Sequence, residues 1–405
     1  MKNIVLILIG ILTFGFSNAQ QLETLIDEAL KNNPEIQKFE LQYSIVSEKV
    51  NEVNTIPNTE FGVGYFVSEP ETRTGAQRFK VSARQMMPWF GSITARENYV
   101  GSLADAKYED IVIAKRKLIT SVSQSYYNLY ANKAKQKVLA QNIELLETYE
   151  IMALTFVEVG KASAVDVLRL QIRQNELEQI KEVLIEQFLA EQTMLNKLLN
   201  RDKDIDVKVI EELTIPSETT LVDVEKLSLH PELIKYDKLY QSVEQSELLN
   251  QKESNAMFGI GLDYIYVEER PDVDVIDNGK DVWMPMISLS IPIFNKKYKS
   301  QTKQNEFEQQ NILAQKQERF NKLETVLDKA LKDRTSATIS FETQSNNLKQ
   351  ANDAEEILIK SYETGTIDFN DVLDIQELQL KFQINQIESV KNFYIQTTII
   401  NYLSN

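Results

Sequence analysis

Gly160-Lys161-Ala162-Ser163-Ala164-Val165-Asp166-Val167-Leu168 returns 205 residues later as Gly365-Thr366-Ile367-Asp368-Phe369-Asn370-Asp371-Val372-Leu373. Each copy reads as a glycine turn followed by the start of a helix. The glycine can take the left-handed conformation that ends one helix, and the acidic residue suits the first turn of the next. Working outward, two more matches occur in the same order. Residues 33–64 overlay 230–261, with Pro34-Glu35 on Pro231-Glu232, Lys38 on Lys235, Tyr43 on Tyr240 and Phe61-Gly62-Val63-Gly64 on Phe258-Gly259-Ile260-Gly261. Met87-Pro88-Trp89-Phe90-Gly91 likewise resembles Ile291-Pro292-Ile293-Phe294-Asn295. Matches in one order at nearly one offset describe a duplicated unit, and two copies are too few for a solenoid.

Each unit has the same internal order. A polar helix (22–54 and 230–253) precedes two short alternating segments, a very long helix (91–158 and 296–363), the glycine turn and a last helix (164–200 and 368–402). The organisation expected is therefore a first repeat at 20–200, a linker at 201–229 that carries Pro216, and a second repeat at 230–405. Within the second long helix, Leu313, Phe320, Leu323, Leu327, Ala330 and Leu331 form a narrow apolar stripe amid Gln, Lys, Glu and Asn. A stripe that narrow suits coiled-coil packing better than a globular core.

Composition removes several functions. The 405 residues carry a net charge of −16, no cysteine and one histidine, His230. That excludes disulfides, thiolate metal sites and a lipid-modified N-terminal cysteine, and leaves no histidine cluster for a metal. An acidic chain lacks the basic face that nucleic acid requires, so no nucleic acid, no cofactor and no enzymatic activity are expected. With 12 Gly and 9 Pro the chain is also too poor in turn formers for an all-β fold. At the N-terminus, Met1-Lys2-Asn3 precedes an uncharged run from Ile4 to Phe16 and the small-x-small ending Ser17-Asn18-Ala19. This is the pattern of a secretory signal peptide over 1–19, too short to span a bilayer as a helix.

The alternating segments are where a membrane could be crossed. Strands are expected over 60–67, 78–87, 257–267 and 283–292, each with apolar residues on one side and Gly, Ser, Asp, Lys or Arg on the other. Their lengths suit tilted strands in a bilayer; a soluble sheet with one buried face is the competing interpretation. Four strands cannot close a membrane barrel, so in a membrane several chains would share one. Pro88 and Pro292 stand at the strand-to-helix junctions, where a residue without an N–H can end a strand and open a helix.

Duplicated helix–hairpin–long helix–turn–helix units, a leader, and the Tyr362-x-x-Gly365…Asp371-Val372-Leu373-Asp374 motif resemble the TolC family of outer-membrane efflux proteins over residues 21–405. The resemblance implies a mainly α fold with a small membrane β-barrel portion. Long coiled-coil helices and two β-hairpins per chain would trimerise into a shared 12-stranded barrel above an α-helical tunnel crossing the periplasm. It implies a homotrimer in outer-membrane lipid, docked on a periplasmic adaptor and an inner-membrane transporter. Together with the methionines it leans towards a pump of the resistance–nodulation–division (RND) type. By the same resemblance Asp371 and Asp374 line the periplasmic entrance, Tyr362 and Asp166 help to close it, and the turns at Gly160 and Gly365 meet the adaptor. Ile367 stands where well-known members carry an arginine, which leaves closure to packing and Tyr362.

Other residues carry weaker signals. Met86 and Met87 precede Pro88, and Met284 and Met286 flank Pro285. Thioethers bind soft metals, but methionines near strand ends read first as packing residues, and no metal site is expected. His230 reads as a helix-start residue without a visible partner. A hydrolase using Asp371 and Asp374 would need a cleft that a narrow-striped rod does not offer. The stronger rival to a channel is an exported coiled-coil structural or adaptor protein.

Overall fold

The computed structural model describes residues 21–161, 163–216, 224–272 and 274–404. The expected leader at 1–19, Ala162 of the first turn and 217–223 of the linker lie outside them. The chain is mostly helical. Helix α1 covers 21–32, followed by α2 (Pro34–Val53), β1 (Glu60–Tyr65), β2 (Glu71–Thr72), β3 (Gly75–Met87), α3 (Ser92–Glu158) and α4 (Ala164–Leu198). A 3₁₀ turn (Val224–Leu229) then leads to α5 (Pro231–Glu253), β4 (Met257–Glu268), β5 (Val282–Ser290), α6 (Lys297–Glu363) and α7 (Phe369–Ser404).

The two long helices each have 67 residues, about 100 Å at 1.5 Å per residue. Their continuity follows from composition. Between them they contain one glycine, Gly101, and no proline, the two residues that most disfavour a helix interior. None of these helices is both long and apolar enough to cross a membrane.

Two compact units divide the described residues. The first contains those up to Lys38, Val112–His230 and Phe320 onward; the second contains Phe39–Ile111 and Pro231–Arg319. In the first unit the buried positions follow heptad spacing: Leu139, Leu146 and Ala153 on α3, and Leu170, Leu177 and Leu184 on α4. They pack with Tyr362 of α6 and Phe369, Val372 and Leu380 of α7. Buried Leu323, Leu327, Ala330 and Ala337 form the α6 stripe. In the second unit Ile312 is buried and Leu313 is exposed, so the stripe runs one residue earlier than expected there.

The helix expected over 22–54 is two helices. Asn33 interrupts it, its side chain accepting from the Glu35 amide at 2.8 Å while its own amide group donates to the Leu198 carbonyl at 2.8 Å. Pro34 then takes the first helical position, where its missing N–H costs nothing. His230, the matching residue of the second half, has a partner after all. It is 1% exposed, with its Nε2 3.1 Å from the Tyr402 carbonyl and its ring edge-on to that of Tyr402. The extended stretch after α4 is also tied down: the Val207, Ile210 and Leu213 amides donate to Gln192, Tyr126 and Tyr130 side chains.

The second unit holds the sheet, antiparallel in the order β1-β3-β4-β5, with β2 as a short addition to β3. The β3–β4 pairing joins the hairpin of the first half to that of the second, running from Ala76↔Glu268 to Met87↔Phe258 with one bulge between Gln77 and Phe79. Strands β1 and β5 are its edges.

Candidate functional site

Two places could carry function: the sheet of the second unit and the helical turns of the first. In the sheet, the register lines up Phe61↔Ala83, Val63↔Val81 and Tyr65↔Phe79, and then Ala83↔Leu262, Val81↔Tyr264 and Phe79↔Tyr266. It continues with Ile260↔Ile287 and Tyr264↔Trp283. All of these residues share one face by the two-residue period of a strand, and most are open to solvent, Val63 at 80% and Ile287 at 86%. Aromatic rings gather at both ends of this face. Phe79 stacks on Tyr266 at 5.1 Å and Tyr264 lies against Trp283 at 4.9 Å, whereas Trp89 stacks on Phe258 at 5.3 Å at the other end. Phe258 and Tyr266 are eight residues apart on β4, about 27 Å along the strand.

The opposite face is mostly small and polar, with Ile265, Val267 and the methionines Met86, Met257, Met284 and Met286 also on it. It carries Gly62, Gly64, Lys80, Ser82, Arg84, Gly259, Gly261, Asp263 and Ser288. Asp263 is fully buried and forms an ion pair with Lys80, which offsets the cost of enclosing a carboxylate. At the lower ends of the strands Pro88 directly follows β3, and Pro292 comes two residues after β5. Neither opens a helix as expected. The α3 start lies at Ser92, after Gly91 (φ 79°), and the α6 start is capped by Asn295, which accepts from the Lys297 amide at 2.8 Å.

The turns of the first unit are a matched pair. Gly160 (φ 74°) donates to Val157 and Lys161 to Phe156; Gly365 (φ 75°) donates to Tyr362 and Thr366 to Ser361. This is the Schellman arrangement, which satisfies carbonyls at a helix end and needs the left-handed conformation that glycine adopts freely.

Beyond the turns the copies diverge. In the first, Ser163 caps α4 and Asp166 closes a capping box, its carboxylate accepting from the Ser163 amide at 3.3 Å. In the second, Asp371 and Asp374 are exposed on α7, and residues three apart on a helix face the same way.

Tyr362 is 5% exposed, tilted against Phe156 at 5.3 Å and edge-on to Phe369 at 4.8 Å. Its hydroxyl has no hydrogen-bond partner among the described residues. Burial, aided by the negative charge of Asp166, raises its pKa. Ile367 packs against the same cluster.

Sequence reading missed the polar ties around this cluster. The Tyr149 hydroxyl donates to Glu355 at 2.6 Å, and Gln379 donates to Glu355 and Asn352. Arg169 donates to Asn370. These partners lie far apart in sequence on different helices, and no local pattern marks them. Glu355 also holds the proton on Tyr149, whose pKa burial and that carboxylate raise together.

No protein-family model and no curated protein matches the chain. Solved structures do. It is similar to CusC, a protein described as forming a transmembrane channel, with 14% identity over 95% of this chain and 92% of that one at a TM-score of 0.78. It is similar to the outer membrane protein VceC of Vibrio cholerae, with 16% identity over 95% and 96% of the two chains at 0.75. It is also similar to the MtrE outer membrane channel of Neisseria gonorrhoeae in its open state, with 15% identity over 93% and 89% at 0.69. The long helices, the antiparallel sheet and the order in which they follow one another thus recur across nearly the whole chain, and its fold is that of the TolC-family outer-membrane channels.

Proposed function

We propose that three copies of this chain close a twelve-stranded barrel in the outer membrane and continue below it as a helical tunnel, forming the channel of a tripartite efflux system. The observation that carries this reading is the sheet. One face is apolar and open across four strands, aromatic rows bound it at both ends, and neither β1 nor β5 has an outer neighbour among the described residues. An apolar face of that extent is unfavourable in water, and open strand edges are unfavourable in lipid. Seating the apolar face in lipid removes the first cost and joining β1 of one copy to β5 of the next removes the second, and the polar face then lines a water path.

In this reading 20–200 and 230–405 are two copies of one unit, joined by 201–229, and the leader at 1–19 exports the chain. The turns at Gly160 and Gly365 meet a periplasmic adaptor, and Asp371, Asp374, Tyr362 and Asp166 form the entrance. An inner-membrane transporter of the RND type supplies the energy, and the chain itself catalyses nothing.

Planar-bilayer conductance of the detergent-purified protein, with its oligomer mass measured in parallel, tests the proposal. The expected result is a threefold assembly with small cation-selective currents. A salt-extractable monomer or dimer without conductance would overturn it in favour of an exported coiled-coil structural or adaptor protein.

A further inference from the structure

Four of the methionines lie where the strand pattern calls for polar residues. Met86, Met257, Met284 and Met286 all fall on the sheet face that carries Lys80, Ser82, Arg84, Asp263 and Ser288. A packing methionine is enclosed by apolar groups, but here Met284 is exposed, and Met86, Met257 and Met286 are only half-buried. The register sets Met86 beside Gly259 and Ser288, and Met286 beside Gly261 and Arg84.

The two glycines of β4 make room for these side chains. A Cβ on Gly259 would stand 2.6 Å from the Met86 sulfur, and one on Gly261 would stand 3.4 Å from the Met286 methyl. The Met86 sulfur also lies 3.8 Å from the Ser288 hydroxyl. The thioethers therefore reach over the same strand from opposite sides, at positions two residues, or about 7 Å, apart. Three rotatable side-chain bonds let methionines close such a gap. Arg84 flanks Gly261 on the side opposite Met286, its Cγ as near to a Cβ at that position as the Met286 methyl, and Glu60 is its register partner across the β1–β3 pair.

We propose that Met86 and Met286 form a thioether site for a soft monovalent cation, Cu(I) or Ag(I), on the polar face of the sheet. Thioether sulfur selects such ions over hard cations. Among the described residues no group of histidines and carboxylates could hold a metal instead. If the barrel reading holds, on which this step towards cargo rests, the site lines the water path and marks soft metal ions as a transported class.

The test is calorimetric titration of the full-length, detergent-solubilised protein with silver nitrate in chloride-free buffer, followed by X-ray absorption at the silver edge. Saturable binding with silver–sulfur scattering is expected, weakened at least tenfold in Met86→Leu/Met286→Leu. Leucine keeps the bulk of the side chain. If the double variant fails to assemble, Met86→Leu alone carries the comparison. Absence of saturable binding, silver bound only through nitrogen or oxygen, or equal affinity in the variant would each overturn the site. Failure of the channel reading shows separately, as silver binding without conductance.

Discussion

Arg169 on α4 donates from its guanidinium to the side-chain oxygen of Asn370 on α7. One turn further along, Arg173 lies 3.8 Å from Glu377 of α7. The cations sit on α4 and the acceptors on α7. Exposed pairs of this kind contribute about 0.2–1 kcal/mol each, so removing two shifts an open–closed balance by about 2- to 30-fold. If α7 leaves α4 when the entrance opens, Arg169→Ala/Arg173→Ala should raise time-averaged conductance within that range at low salt, and less at 1 M salt. Unchanged conductance would mean that the two helices move together.

Tyr362 and Phe369 should respond in opposite ways to truncation. Phe369 is fully buried and touches both Tyr149 and Tyr362 with its ring, so Phe369→Ala should cost about 3–5 kcal/mol. The Tyr362 hydroxyl is buried with no hydrogen-bond partner among the described residues. Removing it in Tyr362→Phe should leave the melting temperature unchanged or slightly raised, because an unpaired polar group no longer has to be desolvated. A loss comparable to that of Phe369→Ala would show that the hydroxyl holds a bond in the assembled protein.

How far the fold can be read from sequence differs between its parts. The helices are legible because Gly and Pro are nearly absent from them and heptad spacing recurs, as in Leu170, Leu177 and Leu184. The sheet is legible because a two-residue period needs only local information, as at Phe61, Val63 and Tyr65. The break at Asn33 was obscured by apolar periodicity that continues through it, although Asn-Pro is itself a capping signal. The exchange of Leu313 for Ile312 reflects a one-residue ambiguity that a 3.6-residue period cannot resolve. The contacts of His230 with Tyr402, and of Tyr149 with Glu355, span 172 and 206 residues. Their existence depends on which helices meet, information that lies outside any local window.

Acid should weaken the first unit through Glu388. Burial raises the pKa of this carboxyl, but Lys135 and Lys391 outweigh that effect through hydrogen bonds and charge, and the net shift is downward. A carboxyl with a depressed folded pKa stabilises the fold fully above its unfolded pKa of about 4.3. That contribution disappears as pH falls through the lower folded value. Glu388→Gln should therefore cost about 1–3 kcal/mol near pH 7. Its melting curve should converge with that of the unsubstituted protein once the pH has fallen below that depressed folded value. A gap independent of pH would rule out this linkage.

Asp371 and Asp166 occupy equivalent places in the two repeats but have different surroundings, which gives the pore proposal an internal control. The Asp166 carboxylate is engaged with the Ser163 amide, whereas Asp371 and Asp374 are exposed on α7. Under threefold symmetry the exposed pair would become two stacked rings of three carboxylates, an arrangement that concentrates cations at a constriction. Asp371→Asn/Asp374→Asn keeps side-chain size and removes the charge, at a cost of about 0.3–1 kcal/mol for Asp371, which lies in the first turn of α7. Cation preference should fall, and block by hexaamminecobalt(III) should weaken at least tenfold. Asp166→Asn should instead loosen the α4 start by about 1 kcal/mol and leave block unchanged. Equal effects from both substitutions would mean that block follows the general negative potential of the turns, while no effect from either would put α7 off the water path. Only a loss confined to the α7 pair is what two carboxylate rings at an entrance require.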